Sequence, residues 1–284
     1  MKHIIRSLAI GSAALGLLAV PVLAGSFNGP VGLQLYSLRA DFPKDVPGTL
    51  NLVEKLGFKE VEVAGTYGLK PEEFKKMLDA HGFLPIGAHF PFDKLRDDPE
   101  SVAREAQALG LKYAGVAWIP HKGAFDEKQA RAAAAVFNSA GKVFAKYGIK
   151  AYYHCHGYEF APLGDGTVFD VLMKETDPQY VTFEMDILWV VFPGQDPVKL
   201  LEKYPTRWAM LHLKDLKKGV QTGELTSHTD VKNDVAIGSG QMDYPAILKT
   251  AQRLGIKHYF IEDESPSVHE QLPKSLEFLK NVTW

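Results

Sequence analysis

The chain has 284 residues, 46% hydrophobic and 23% charged, with a formal net charge of −2. That composition is globular, and the missing basic excess argues against nucleic acid as a partner. A single cysteine, Cys155, excludes an internal disulfide.

In chain order, the first segment reads as a leader. Lys2, His3 and Arg6 form a basic start, Leu8 to Leu23 is an apolar run, and Val22-Leu23-Ala24 precedes Gly25-Ser26. This three-part pattern predicts a secretory signal peptide over 1–24 and a mature domain over 25–284. The run is short for a membrane span and carries Pro21 near its end. No other stretch is apolar enough to cross a membrane, so no membrane association is expected after cleavage. The absence of an Arg-Arg pair points to the general secretory route, and export without disulfides points to a bacterial periplasm. Cleavage removes Lys2 and Arg6, taking the net charge from −2 to −4.

Five later segments repeat one form: a helix end, a glycine and a short strand. They are Leu56-Gly57-Phe58-Lys59, His81-Gly82-Phe83-Leu84, Leu109-Gly110-Leu111-Lys112, Tyr147-Gly148-Ile149-Lys150 and Leu254-Gly255-Ile256-Lys257. Each glycine suits the left-handed position that ends a helix, and each apolar run after it reads as a buried parallel strand. With three further apolar runs, eight strands are predicted, at roughly 31–36, 59–64, 84–89, 112–118, 149–154, 180–186, 207–213 and 257–262. Amphipathic helices lie between them, among them Pro71 to Ala80, Pro99 to Leu109, Glu127 to Tyr147 and Tyr244 to Leu254. Eight such units in the mature chain predict an α/β fold of one domain, a (β/α)8 TIM barrel, whose usual size is about 250 residues. An open doubly wound sheet would need a glycine-rich phosphate loop after the first strand, where the chain has Gln34-Leu35-Tyr36-Ser37-Leu38-Arg39. The polar segment from Lys217 to Met242 is expected to be a surface excursion beside the mouth.

Catalytic residues of such barrels sit at the C-terminal strand ends. Here those ends give Gln34 and Tyr36, Glu62, His89, Trp118 with His121, His154 and His156 with Glu159, Glu184 and Asp186, His212 with Lys214 and Asp215, then Glu262 and Glu264. Each alone has an ordinary structural role: a lone histidine is most often a hydrogen-bonded structural group, and Asp215 reads as a loop cap. Together, imidazoles and carboxylates inside apolar runs are costly unless paired or bound to metal. Asp186, His212 and Glu262 on one mouth therefore predict one divalent ion, with Mn, Zn, Co and Mg all compatible with the donor set.

The chain resembles the sugar phosphate isomerase/epimerase family, the xylose-isomerase-like barrels, over nearly all of 25–284. The resemblance rests on Val31-Gly32-Leu33-Gln34-Leu35-Tyr36-Ser37-Leu38-Arg39, Tyr153-His154-Cys155-His156-Gly157-Tyr158-Glu159-Phe160, Phe183-Glu184-Met185-Asp186-Ile187, Leu211-His212-Leu213-Lys214-Asp215, the stretch from Gly238 to Tyr244, and Ile261-Glu262-Asp263-Glu264. It implies a divalent ion held by a Glu, an Asp, a His and a Glu from strands five to eight. Asp186, His212 and Glu262 take the last three roles. The fifth strand ends in His154, not Glu, so Glu159 is favoured to complete the set, with His154 and His156 as the other candidates.

The resemblance implies two opposed glutamates that epimerise a carbon beside a carbonyl through a metal-bound enediolate. The expected activity is thus metal-dependent isomerisation or epimerisation of a non-phosphorylated sugar or keto-sugar, because no phosphate loop or arginine cluster is present. The departure at His154 keeps open a lyase or dehydratase that eliminates next to a ketone, for instance on a 3-keto-glycoside. Glu262, His154, His156 and Lys214 are the catalytic candidates. Gln34, Tyr36, Glu62, His89, Trp118 and Trp189 are expected to line the site for a small sugar or glycoside. A DNA-repair endonuclease is disfavoured by the negative charge and the leader, and a non-catalytic sugar-binding barrel by the intact polar rim. A homo-oligomer is compatible with the sequence.

Overall fold

The computed structural model describes residues 25–284, so the predicted leader over 1–24 lies outside the described residues. Eight parallel strands close into one barrel: β1 (Val31–Gln34), β2 (Glu60–Val63), β3 (Leu84–His89), β4 (Tyr113–Val116), β5 (Lys150–His154), β6 (Val181–Asp186), β7 (Trp208–Leu213) and β8 (His258–Ile261). They follow one another around the barrel, and β8 pairs back onto β1 with Val31 opposite Tyr259. All eight lie within two residues of the ranges read from the sequence.

Among the described residues, ten α-helices surround or cap them: α1 (Val46–Lys55), α2 (Pro71–Ala80), α3 (Phe92–Asp97), α4 (Pro99–Ala108), α5 (Glu127–Ala145), α6 (Val168–Glu175), α7 (Ile187–Val191), α8 (Pro197–Lys203), α9 (Tyr244–Arg253) and α10 (Val268–Asn281). The repeated glycines end α1, α2, α4, α5 and α9 with φ between 68° and 91°, a region that side chains disfavour. Helix starts are equally local. Proline opens α2, α4 and α8, and Asp126 and Gln129 cap α5 reciprocally.

Inside the barrel, Ile86, Tyr152, Met210 and Phe260 from β3, β5, β7 and β8 form a packed layer. The neighbouring strands make room for the two large rings. A Cβ on Gly32 of β1 would strike the Phe260 ring, and one on Gly115 of β4 would strike the Tyr152 ring. Below the strand starts, the two ends of the described chain meet. Gly25 N–H donates to the Trp284 carbonyl (2.8 Å) and Trp284 N–H returns the bond (3.0 Å), while Phe27 packs edge-on against Tyr259.

The segment after β7 is more than a surface excursion. Asp215–Leu216 pairs antiparallel with Asp234–Val235, and the Asp215 carboxylate accepts from the backbone N–H groups of Gly238, Gly240 and Met242 at 2.8–3.1 Å. So anchored, the intervening chain folds across the mouth and buries Ser227 and Asp234. Among the described residues, no helix is long and apolar enough to cross a membrane.

Candidate active site

Strand geometry builds the site. Residues two apart on a strand face the same side, so β5 to β8 each send a pair of polar side chains into the mouth: His154 and His156, Glu184 and Asp186, His212 and Lys214, Glu262 and Glu264. All but His156 and Glu264 are buried.

Two groups of donors converge. Ligand atoms of Asp186, His212 and Glu262 lie within 4.8 Å of one another, and so do those of His89, His154, Glu184 and His212. Asp186 Oδ1 caps α7 by accepting from Trp189 N–H (3.0 Å), which aims Oδ2 at the mouth. That Oδ2 is buried and has no hydrogen-bond partner. Three nitrogens surround it, His154 Nε2 and Lys214 Nζ at 3.8 Å and His212 Nδ1 at 3.9 Å, all too far to bond. The two imidazole nitrogens stand from Oδ2 at distances that suit atoms each about 2.1 Å from a shared ion, with the Lys214 ammonium beside them. Burial pushes Asp186 up to about 7 against the opposing pull of Lys214 and His212. A buried carboxyl that ionises reluctantly, with an oxygen left bare, is a site that a cation would satisfy. The residues present therefore fit a divalent ion.

Glu62 sits beneath this group as a hub. Its Oε2 accepts from Gln34 Nε2 (2.6 Å) and faces His212 Nε2 (2.5 Å); its Oε1 accepts from the Tyr152 hydroxyl and faces His89 Nε2 at 3.4 Å. With the Nε2 proton of His212 given to Glu62, Nδ1 is turned toward Asp186 and Glu262, the arrangement that orients a metal-binding imidazole. Burial lowers the His212 pKa, but Glu184, Glu62 and Glu262 outweigh it and hold the ring well above the usual imidazole range, so Nδ1 carries a proton that a bound ion would replace. Glu184 is likewise raised by burial yet held well below the carboxylate range by His212, His154 and His89.

Above the donors lies a cavity of about 460 Å3 whose wall includes His154, His156, Trp189, Lys214 and Glu262. Such a volume suits a small molecule. Burial brings His154 down to about 4 and His156 well below the imidazole range, so both rings stay neutral near pH 7. His156 stacks on Trp189 (5.0 Å between centroids, 18° between planes), and its Nδ1 is buried without a partner. Lys214 differs. Burial alone would discharge it, but Glu262, Asp186 and Glu264 outweigh that and keep it an ammonium, donating to Glu262 Oε2 (3.0 Å) and Glu264 Oε1 (2.6 Å).

Gln34, Tyr36, His89 and Trp189 reach the cavity wall with these groups. Two expectations are corrected. Glu159 does not join the donor groups: the turn Tyr158–Phe160, entered through Gly157 at φ 99°, swings it under the mouth, where Oε1 accepts from His156 N–H (2.7 Å) and the Tyr153 hydroxyl (3.1 Å). Glu62 does not line the cavity but is fully buried below it. Trp118 stands in a smaller neighbouring cavity. Sequence reasoning missed Glu184 as a donor, although its two-residue spacing from Asp186 carried the signal. It also missed the wall supplied by Ser227, His228, Thr229 and Asp234.

The comparisons agree with this fold. An inosose dehydratase of Clostridium botulinum (strain Alaska E43 / Type E3) is 25% identical over 232 residues, 68% of this chain and 73% of the relative. A sugar phosphate isomerase/epimerase of Parabacteroides distasonis superposes with a TM-score of 0.75 at 26% identity, covering 93% of this chain and 99% of that one. The structure of an IolI protein with a zinc atom shares the fold, with a TM-score of 0.68 at 13% identity over 88% of this chain and 95% of that one. The family model described as xylose isomerase-like TIM barrel matches residues 50–282, from within α1 to just past α10. With that match spanning most of the barrel, the chain belongs to the xylose isomerase-like TIM barrel family.

Proposed function

We propose that this protein is a metal-dependent lyase that eliminates an oxygen leaving group next to the ketone of a non-phosphorylated keto-sugar. The observation that carries this reading is the unequal pair flanking the cavity. A carboxylate, Glu262, stands on one side, and at the end of β5 neutral imidazoles stand where a two-glutamate epimerase would hold its second carboxylate. The dehydratase name of the Clostridium relative favours elimination over the epimerisation that the sequence resemblance put first.

Asp186, His212 and Glu262 would hold the ion, with His154 Nε2 beside them. When bound, a divalent ion supplies a Lewis acid for the ketone oxygen. His156, neutral and fixed flat against Trp189, lines the cavity and is the base that takes the proton from the carbon beside the ketone. The ammonium of Lys214 offers a proton to oxygen at the cavity wall. A base of this kind needs no partner across the substrate plane, because the proton is not returned to carbon: the electron pair forms a double bond and the next carbon–oxygen bond breaks. A signal peptide over 1–24 and a periplasmic location complete the reading. Both are checked by intact-mass analysis of exported protein, which should begin at Gly25.

The deciding experiment is NMR of 3-keto-glucosides incubated with the protein in deuterium oxide, alongside elemental analysis. About one equivalent of metal and release of the aglycone with an unsaturated ketone are expected. Deuterium uptake beside the ketone without release would indicate epimerisation instead, and neither signal would sink the proposal. Asp186→Asn keeps the Oδ1 cap of α7 but loses the charge, so stoichiometric metal and activity should vanish together while the fold survives. Metal retained in that variant would refute the ligand assignment.

A further inference from the structure

A second cavity of about 210 Å3 adjoins the first, and the two share Ser227 and His228 of the segment folded across the mouth. Opposite them its wall includes Trp118, His121, Phe125, Tyr158 and Leu225. Trp118 connects the two spaces: its ring stands edge-on to His156 in the main cavity (6.2 Å, 89°) and packs against Tyr158 and His121 in the second (4.9 Å each). Trp118 and Leu225 remain 41% and 46% exposed, as do Tyr36 and Val231 on the wall of the main cavity.

Two of the polar groups on the aromatic part of this wall are already engaged. The Tyr158 hydroxyl turns away from the cavity, accepting from Ile119 N–H and hydrogen-bonding with the Tyr153 hydroxyl, both at 2.9 Å. His121 Nδ1 is engaged with the Ile119 carbonyl at 2.7 Å. What remains for a ligand is mostly ring faces and edges. A second sugar ring would bury its hydroxyls there with few partners, which is costly, whereas a flat aromatic ring finds matching surfaces.

Resting on the elimination reading, we propose that this cavity binds the aglycone of an aryl glycoside, with the sugar ring in the main cavity and the glycosidic oxygen between them. The reaction balances without a further reagent. The base removes the proton on the carbon beside the ketone, that electron pair forms the carbon–carbon double bond, and the bond from the next carbon to the aglycone oxygen breaks. The oxygen leaves with the bonding pair and takes up one proton, giving a free phenol and an unsaturated keto-sugar. Phenols ionise near pH 10 and water near 15.7, so an aryl oxide departs with less protonic help than hydroxide.

The test compares phenyl and methyl glucosides, unoxidised and therefore unreactive in elimination, by titration calorimetry on the full metal-loaded protein. Phenyl glucoside is expected to bind about tenfold more tightly than methyl glucoside, and Trp118→Ala should bring that ratio close to one. Leu225→Gln, at an exposed position, is the second variant and should reduce the ratio partially. Equal affinities, no binding of either glucoside, or a preference that survives Trp118→Ala would each overturn the assignment. Incubating the 3-keto forms with the same preparations separates the two readings. A phenyl preference in binding with no release of phenol would overturn elimination and leave the aromatic subsite standing.

Discussion

The Glu159 carboxyl group is fully buried, with Oε1 held by Tyr153 and the His156 N–H and Oε2 bare. Burial raises it from 4.5 to about 7, against the pull of its hydrogen bonds. Between those values the folded chain carries a proton that the unfolded chain has lost, so this group's contribution to stability is full below pH 4.5 and fades as pH rises through 7. Glu159→Gln should remove that decline. Its stability relative to the parent should improve from pH 4 to pH 8 by up to about 3 kcal/mol, as read from urea midpoints at each pH. A flat difference across that range would show that Glu159 ionises freely. The same residue marks the limit of what single positions disclose. Asp186, His212 and Glu262 were legible because strand ends of a barrel converge whatever lies between them. Glu159 and Glu62 were misplaced because which way a carboxylate turns depends on the φ of Gly157 and on Tyr152 reaching across from β5, neither written in residue type.

At the scale of elements, the strands were legible because each unit carries its own stop and start: a glycine past the helix, then an apolar run. The segment from Lys217 to Met242 was not, because it is polar throughout and is held by long-range bonds to Asp215 rather than by any local pattern. Strand β4 offers a direct test of how the interior layer supports the site. Gly115 leaves its place to the Tyr152 ring, whose hydroxyl donates to Glu62, which in turn faces His212. Gly115→Ala should displace that ring and cost about 1–3 kcal/mol through overpacking. The melting temperature should fall by about 2–4 °C for each kcal/mol, and metal affinity should weaken with it although no ligand has changed. Unaltered metal affinity in a destabilised variant would separate the Tyr152–Glu62 chain from the site.

For the molecule as a whole, closure has two parts, the β1–β8 seam and the contact between the chain ends. Removing Thr283 and Trp284 deletes two backbone hydrogen bonds at about 1 kcal/mol each, together with the partly buried indole. Thermal unfolding should therefore begin earlier by about 4–8 °C, while metal content stays at its parental value. The contact also fixes a direction. Gly25 leaves the barrel below the strand starts, and the cavity opens beyond the strand ends. Any body joined ahead of Gly25, whether an affinity tag, a bead surface or a carrier protein, hangs from the floor of the barrel. The doorway then faces outward, and a substrate can enter an immobilised copy as freely as one in solution.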